Sequence, residues 1–217
     1  GYKVRITSKD WADGTTSEYQ EVVHDCDENG ALIRIIEQSH VQNADGGTTS
    51  IESAEYFQDY EDCLKGYKMN QITKTRADGT TSESIGDFTE PDGINTKEHY
   101  IRNEDGTEET HIETRKDGYL IRIIELNHVQ NADGGTTSTE SAEYFQDYED
   151  CLKGYKMKQI KKDRADGTTY EFHGEYWYPD GRYSKAGFTT NANGARENYS
   201  EEWKDGLYSR FMPIWTG

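Results

Sequence analysis

Apolar residues are scarce in this chain of 217 residues. Only 32% are hydrophobic against 30% charged, too little to build a large dry core. Cation is also short: 24 Lys and Arg stand against 42 Asp and Glu, a net charge of -18. Nucleic-acid binding needs a basic footprint, so the chain is expected to bind no nucleic acid. No apolar run approaches the length of a membrane span. Cysteine is limited to Cys26, Cys63 and Cys151. Three is odd, so at least one thiol is free or pairs between chains, and no Cys-x-x-Cys spacing offers a zinc site. Gly-x-Ser-x-Gly, His-Glu-x-x-His and phosphate-loop signatures are absent, and an enzyme is not expected. The chain opens at Gly1-Tyr2-Lys3, as a mature product or a piece of a longer protein would.

Aromatic residues are plentiful, with 16 Tyr, 6 Phe and 4 Trp. Disordered polar chains lack these, whereas pleated, half-buried strands favour them. A thin, strand-rich structure with much solvent contact is the expectation.

Internal repetition decides the architecture. Residues 32–83 return as 120–171, a shift of 88, with 45 of 52 positions identical. The alignment continues without a gap, bringing Pro91-Asp92-Gly93 onto Pro179-Asp180-Gly181. A shorter period lies inside: fourteen turn-type glycines, most after Asp or Asn, are spaced 12 to 20 residues apart. Asp-Gly and Asn-Gly suit tight hairpins in which both central residues take positive φ. The turns alternate in kind. Ala-Asp-Gly-Thr-Thr at 12–16, 77–81 and 165–169 interleaves with turns such as Glu28-Asn29-Gly30 and Lys116-Asp117-Gly118. An antiparallel meander demands that alternation, because successive turns fall on opposite edges. The fold class is therefore all-β: a tandem antiparallel β-hairpin repeat, either an extended meander sheet or a hairpin solenoid, with an 88-residue super-repeat of three hairpins. The organisation reads as a partial N-terminal hairpin unit (1–29), block 1 (30–117), block 2 (118–205) and the start of a further unit (206–217).

Counting outward from Asp78-Gly79 sets Lys74 opposite Glu83, Ile72 opposite Ile85 and Met69 opposite Phe88. From Asp166-Gly167 it sets Lys162 opposite Glu171, Met157 opposite Tyr176 and Tyr155 opposite Tyr178; from Asp13-Gly14, Lys9 opposite Glu18. Each such pair contributes about 0.2–1 kcal/mol. Residues 53–66 carry Tyr56, Tyr60 and Leu64 at helical spacing, but follow a turn where other units begin a strand. A strand with a longer loop near Cys63 is favoured over a helix.

The pattern Ala12-Asp13-Gly14-Thr15-Thr16-Ser17-Glu18-Tyr19 followed by Asp27-Glu28-Asn29-Gly30-Ala31-Leu32 resembles YD-repeat (Rhs-type) surface and toxin-shell proteins. Tyr178-Pro179-Asp180-Gly181-Arg182-Tyr183 echoes it. Cys26-Asp27 stands where the family has Tyr-Asp. The resemblance implies extracellular hairpin arrays and nothing catalytic.

Three features carry candidate chemistry. Asp25, Asp27 and Asn29, before Gly30, match the first half of a calcium loop; Ile36 holds the place of its bidentate Glu. Tyr170, Phe172, Tyr176, Trp177, Tyr178, Tyr199 and Trp203 offer an aromatic surface for stacking sugars, or cross-strand packing. Asn198 heads the sequon Asn198-Tyr199-Ser200. His40 and its repeat mate His128 read as strand-surface residues. Together these features suggest an extracellular or cell-surface structural repeat that self-associates into a fibre, sheath or surface layer. The alternatives are a glycan- or protein-binding surface module, or a segment of a YD-repeat toxin or adhesin shell. No cofactor beyond calcium suggests itself.

Overall fold

The structure, a computed structural model, describes residues 2–10, 17–165, 170–190 and 193–211, the side chains of Tyr2 and of 208–211 excepted. The turn at 12–16 and most of the one at 165–169 lie outside the described residues. Two compact units are present: Gly1–Glu104 with Thr114–Tyr119, and Asp105–Glu113 with Leu120–Gly217.

Both units are antiparallel β-meanders, and no helix occurs among the described residues. The first holds β1 (Tyr2–Asp10), β2 (Ser17–Cys26), β3 (Leu32–Gln42), β4 (Thr48–Tyr56), β5 (Lys68–Thr75), β6 (Ser82–Thr89) and β7 (Ile94–Arg102). β8 (Glu108–Lys116) is divided between the units. The second holds β9 (Tyr119–Gln130), β10 (Thr136–Tyr144), β11 (Lys156–Asp163), β12 (Tyr170–Trp177), β13 (Arg182–Thr190), β14 (Arg196–Lys204) and β15 (Leu207–Phe211). Within each unit strand order equals chain order, and the strands touch only their chain neighbours. Each unit is thus an open single layer rather than a hairpin solenoid.

The expected registers hold. Lys74 faces Glu83, Ile72 faces Ile85 and Met69 faces Phe88. Lys162 faces Glu171 and Met157 faces Tyr176, and Lys9 faces Glu18. Lys74 Nζ lies 3.8 Å from Glu83, and the rings of Tyr155 and Tyr178 are 5.5 Å apart.

The turns are built differently from the expectation that both central residues take positive φ. That geometry holds at Asp117-Gly118 (51° and 83°) and Asp205-Gly206 (51° and 77°). Elsewhere the glycine alone is left-handed. At Asn43–Gly47, Gly46 takes φ 83°. Its N–H donates to the Asn43 carbonyl at 2.9 Å, and the Asn43 N–H donates to the Gly47 carbonyl at 2.7 Å. This is a three-residue loop ending in a bulge. The aspartate acts through its side chain: Asp45 Oδ1 accepts the Gly47 N–H at 2.9 Å. Asp78, Asp92, Asp105, Asp133 and Asp180 each accept the N–H two residues on in the same way. The second glycine of Asp45-Gly46-Gly47 has a separate cause. A Cβ there would sit 2.7 Å from the Thr75 carbonyl oxygen on the adjoining strand.

Residues 57–66 form a strand-end loop, not a helix. The Phe57 N–H donates to the Ile33 carbonyl at 2.7 Å, Tyr60 and Cys63 exchange hydrogen bonds, and Asp59 Oδ1 accepts the Lys65 N–H at 2.7 Å. Arg34 fastens it, its guanidinium 4.5 Å from the Tyr60 ring centroid. In the second unit Arg122 covers Tyr148 at 4.8 Å. Burial gathers nearby. Among the described residues the buried hydrophobics are Ala54, Tyr56, Ile121, Ala142 and Tyr144. The remaining buried positions are Thr114 and five glycines. Three of those glycines lie beneath aromatic rings: Phe88 folds over Gly86, Tyr176 over Gly174 and Tyr199 over Gly187.

Candidate functional site

The two faces of the first unit differ. One face, called the back, carries a cross-strand apolar row of Val4, Val23, Ile36, Ala54, Met69 and Phe88. Ala54 in that row is buried, and the 57–66 loop reaches the same face through Tyr60 on Arg34. The opposite, front face carries Ile51, Ile72 and Ile85 in one row across β4, β5 and β6. Ile51 is 39% exposed and Ile85 44% exposed. Sheet alternation sets these residues in line, and no second layer of the unit covers them.

Charge separates the faces too. On the front of β1–β7 stand six cations: Lys3, Arg5, Lys9, Lys68, Lys74 and Lys97. Five carboxylates accompany them: Glu18, Glu37, Glu55, Glu83 and Asp87. Several pair directly, with Lys68 to Glu55 at 2.7 Å and Lys97 to Asp87 at 3.5 Å. The back carries Asp10, Glu21, Asp25, Glu52 and Glu98 against only Arg34 and Arg102. The front is therefore nearly neutral in a chain of net charge -18.

In the second unit the aromatic residues named above fall into separate groups. Trp177, Tyr183 and Trp203 form a ladder across β12, β13 and β14, with successive centroids 5.2 Å apart and planes inclined by 33° and 32°. Lys185 Nζ lies 5.7 Å from the Tyr183 ring and 6.0 Å from that of Trp203. On the same face Tyr199 folds over Gly187 and bonds the His173 ring. On the other face Tyr170 and Phe172 flank Phe188 at 5.3 and 5.7 Å, Tyr176 covers Gly174, and Tyr178 stacks beneath Arg182 at 4.6 Å. Two of the rings that complete these groups, Tyr183 and Phe188, are not among the aromatic residues expected from the sequence to form a surface.

A half-open cavity of about 580 Å³ lies at one strand end, lined by Cys151, Leu152, Tyr155, Tyr178, Pro179 and Arg182, among others. Burial first, then the neighbouring Tyr178, pushes the Tyr155 phenol up to about 12. Arg182 pairs with Asp180 at 2.7 Å, and this side-chain hydrogen bond holds the Asp180 carboxyl below its ordinary value.

The calcium-type residues have protein partners. Asp25 lies 3.5 Å from Arg34 Nε. Asp27 Oδ1 accepts the N–H groups of Asn29 and Ala31 at 2.9 and 2.8 Å. Asn29 sits at the exposed turn tip. No group of three or more His, Cys, Asp or Glu side chains is placed to hold a metal ion among the described residues. Asn198 stands mid-strand in β14, its Oδ1 accepting the Arg196 Nε–H at 2.9 Å. His40 and His128 each share a 2.8 Å hydrogen bond with a cross-strand serine, Ser50 and Ser138. None of Cys26, Cys63 and Cys151 forms a disulfide among the described residues.

Fold and faces together define an antiparallel single-layer β-hairpin array. The chain matches no family model, no curated protein and no solved structure.

Proposed function

We propose that the chain is an extracellular structural repeat whose sheets assemble into a fibre, sheath or surface layer. The carrying observation is the shortage of burial. Among the described residues twelve large hydrophobic side chains are exposed, Ile51, Ile85 and Trp177 with them, while five hydrophobic residues of any size are buried. Single-layer sheets leave both faces open, and apolar rows on an open face gain by stacking against further protein. Near-identical blocks add to the case, because a repeating contact needs repeating chemistry. Negative-stain electron microscopy and sedimentation of the native protein, with and without calcium, are expected to show ordered, concentration-dependent assemblies. Dispersed monomers under all conditions would refute the proposal.

The Trp177–Tyr183–Trp203 ladder favours a second reading, a surface that binds a glycan or another protein. Its rings already stack on one another, so cross-strand packing competes with a ligand for their faces. A glycan array without hits, together with unchanged tryptophan fluorescence, would remove the sugar version.

A further inference from the structure

We infer that the front face of the first unit is the surface on which a second copy of this chain docks, face to face, with Ile51, Ile72 and Ile85 as the dry centre of the contact. This rests on the scaffold reading and gives it an interface.

Three observations lead to this face. The first is the uncovered isoleucine row. The back face has an apolar row as well, and its outer residue Val4 is 42% exposed, but at β4, behind the isoleucine row, Ala54 is buried and the 57–66 loop engages that face. Ile51 and Ile85 have no such cover. In the second unit the corresponding row reads Thr139, Ile160 and His173. Thr139 is one of only seven positions at which residues 120–171 depart from 32–83. The apolar row is thus particular to the first unit rather than a by-product of the strand pattern.

The second observation is charge. Two copies of an acidic protein repel one another wherever acidic surfaces meet. The front of β1–β7, with six cations and five carboxylates, is the face of this unit on which that repulsion nearly vanishes. The back, with five carboxylates and two cations, would repel its own copy.

The third is area. The five strands β3–β7, about 4.8 Å apart and each covering about 27 Å along its length, overlap when two copies stack about β5 and offer a footprint of about 650 Å². Specific stable interfaces use about 600–1,000 Å² per partner.

Register also supplies a specific symmetry. A two-fold axis along β5 sets Ile51 of one copy over Ile85 of the second copy and Ile72 over Ile72. The same operation brings Val41 over Ile101 and Glu37 over Lys97, since β3 and β7, like β4 and β6, exchange places. Apolar residues then meet apolar ones and Glu37 meets Lys97, while on the axis Lys68 and Lys74 face their own copies, each already paired with a carboxylate of its own sheet, Glu55 and Glu83. Sheets packed in this manner lie about 10 Å apart.

The test is sedimentation equilibrium on the full chain, with circular dichroism to confirm folding of each variant. Ile85→Lys buries a charge at the centre of the contact and is expected to raise the dimer dissociation constant by about 100-fold. Ile51→Thr, a residue that the second unit carries at the equivalent position and that β4 will therefore accept, is expected to raise it by about tenfold. Tyr19→Lys on the back face is the control and should leave association unchanged. Should Ile85→Lys fail to fold, Ile51→Thr decides alone. If the native chain assembles but the front-face variants weaken it no more than Tyr19→Lys does, the docking face is wrong while the scaffold reading survives. If the native chain is monomeric throughout, both fall.

Discussion

Removing Arg34 should release the 57–66 loop without unfolding the sheet. The guanidinium lies 4.5 Å from the Tyr60 ring centroid and 5.9 Å from that of Tyr56. It donates to Tyr56 Oη at 3.4 Å and stands 3.5 Å from Asp25 and 4.0 Å from Glu61. A partly exposed cation–π contact is worth about 1 kcal/mol. The charge-assisted hydrogen bonding adds about 1–2 kcal/mol. Arg34→Met keeps the aliphatic stem and removes the charge, so a local loss of about 2–3 kcal/mol is expected. Because 1.4 kcal/mol is a factor of ten, opening of the loop should become about 30- to 140-fold more frequent. Native-state hydrogen exchange reads this directly at the Phe57, Tyr60 and Lys65 amides, which bond within the loop or to β3. The Ile72 and Thr73 amides on β5 serve as the internal reference. Protection at Phe57 and Tyr60 that falls by less than about threefold would show that the backbone bonds hold the loop unaided, and the stacking argument would be wrong.

Other consequences follow from the turns and rings. Gly30→Ala places a side chain at φ 80° with nothing within 4 Å, and should cost about 1–2 kcal/mol in urea unfolding, the left-handed penalty alone. Gly47→Ala should cost more, because its Cβ meets a backbone carbonyl; equal losses would refute the close-approach explanation. Backbone N–H donation from Thr80 and Thr107 holds the Asp78 and Asp105 carboxyls below their ordinary range. A carboxyl depressed by folding stabilises the turn above its unfolded value of about 3.9 and loses that contribution as pH falls through the folded value. Carbon-detected NMR titration should show both midpoints below that value, and midpoints at or above it would count against the side-chain bonds. The Tyr155 phenol, pushed up to about 12, should remain protonated when ordinary tyrosines ionise near about 10. Its contribution is complete below that pH and is lost as pH rises through the folded value. Ultraviolet titration of Tyr155→Phe should lack the latest-ionising component seen in the native protein.

Strand order and much of the register were legible because Asp-Gly and Asn-Gly mark most reversals, those at Lys65-Gly66 and Lys153-Gly154 excepted. The turn chemistry was not, since an aspartate side chain can satisfy an N–H two residues on and leave its own backbone in the ordinary region. That difference matters for pairing. Arg76 and Thr81 close a four-residue loop, Arg76 donating to the Thr81 carbonyl at 3.1 Å, and an even loop leaves a two-residue count correct. Tyr178 and Arg182 close a three-residue loop. A two-residue count at Asp180-Gly181 would set Trp177 against Ser184, whereas the structure sets it against Tyr183. A slip of one residue exchanges the faces, so a two-residue count does not bring Tyr183 opposite Trp177 or Phe188 opposite Phe172. The isoleucine row was hidden for a related reason. Ile51, Ile72 and Ile85 lie in three separate strands, and their alignment emerges only when two successive registers are combined. Residues 53–66 were ambiguous because Tyr56, Tyr60 and Leu64 satisfy a helical spacing while Ser53 to Tyr56 satisfy alternation. The hydrogen bonds of Phe57 and Gln58 to the Ile33 carbonyl lie too far away in sequence for either pattern to reveal.

Since each strand within a unit leans only on the one before and the one after, each unit is expected to behave as a linear chain of small cooperative steps rather than one all-or-none object. A hairpin can zip onto a formed neighbour by closing a loop of a few residues, so growth can begin at any corner and spread in both directions. The same locality makes damage containable. A lesion in one hairpin weakens its two flanks and is not transmitted further, and a pair of strands could be added or removed during evolution without redesigning the remainder.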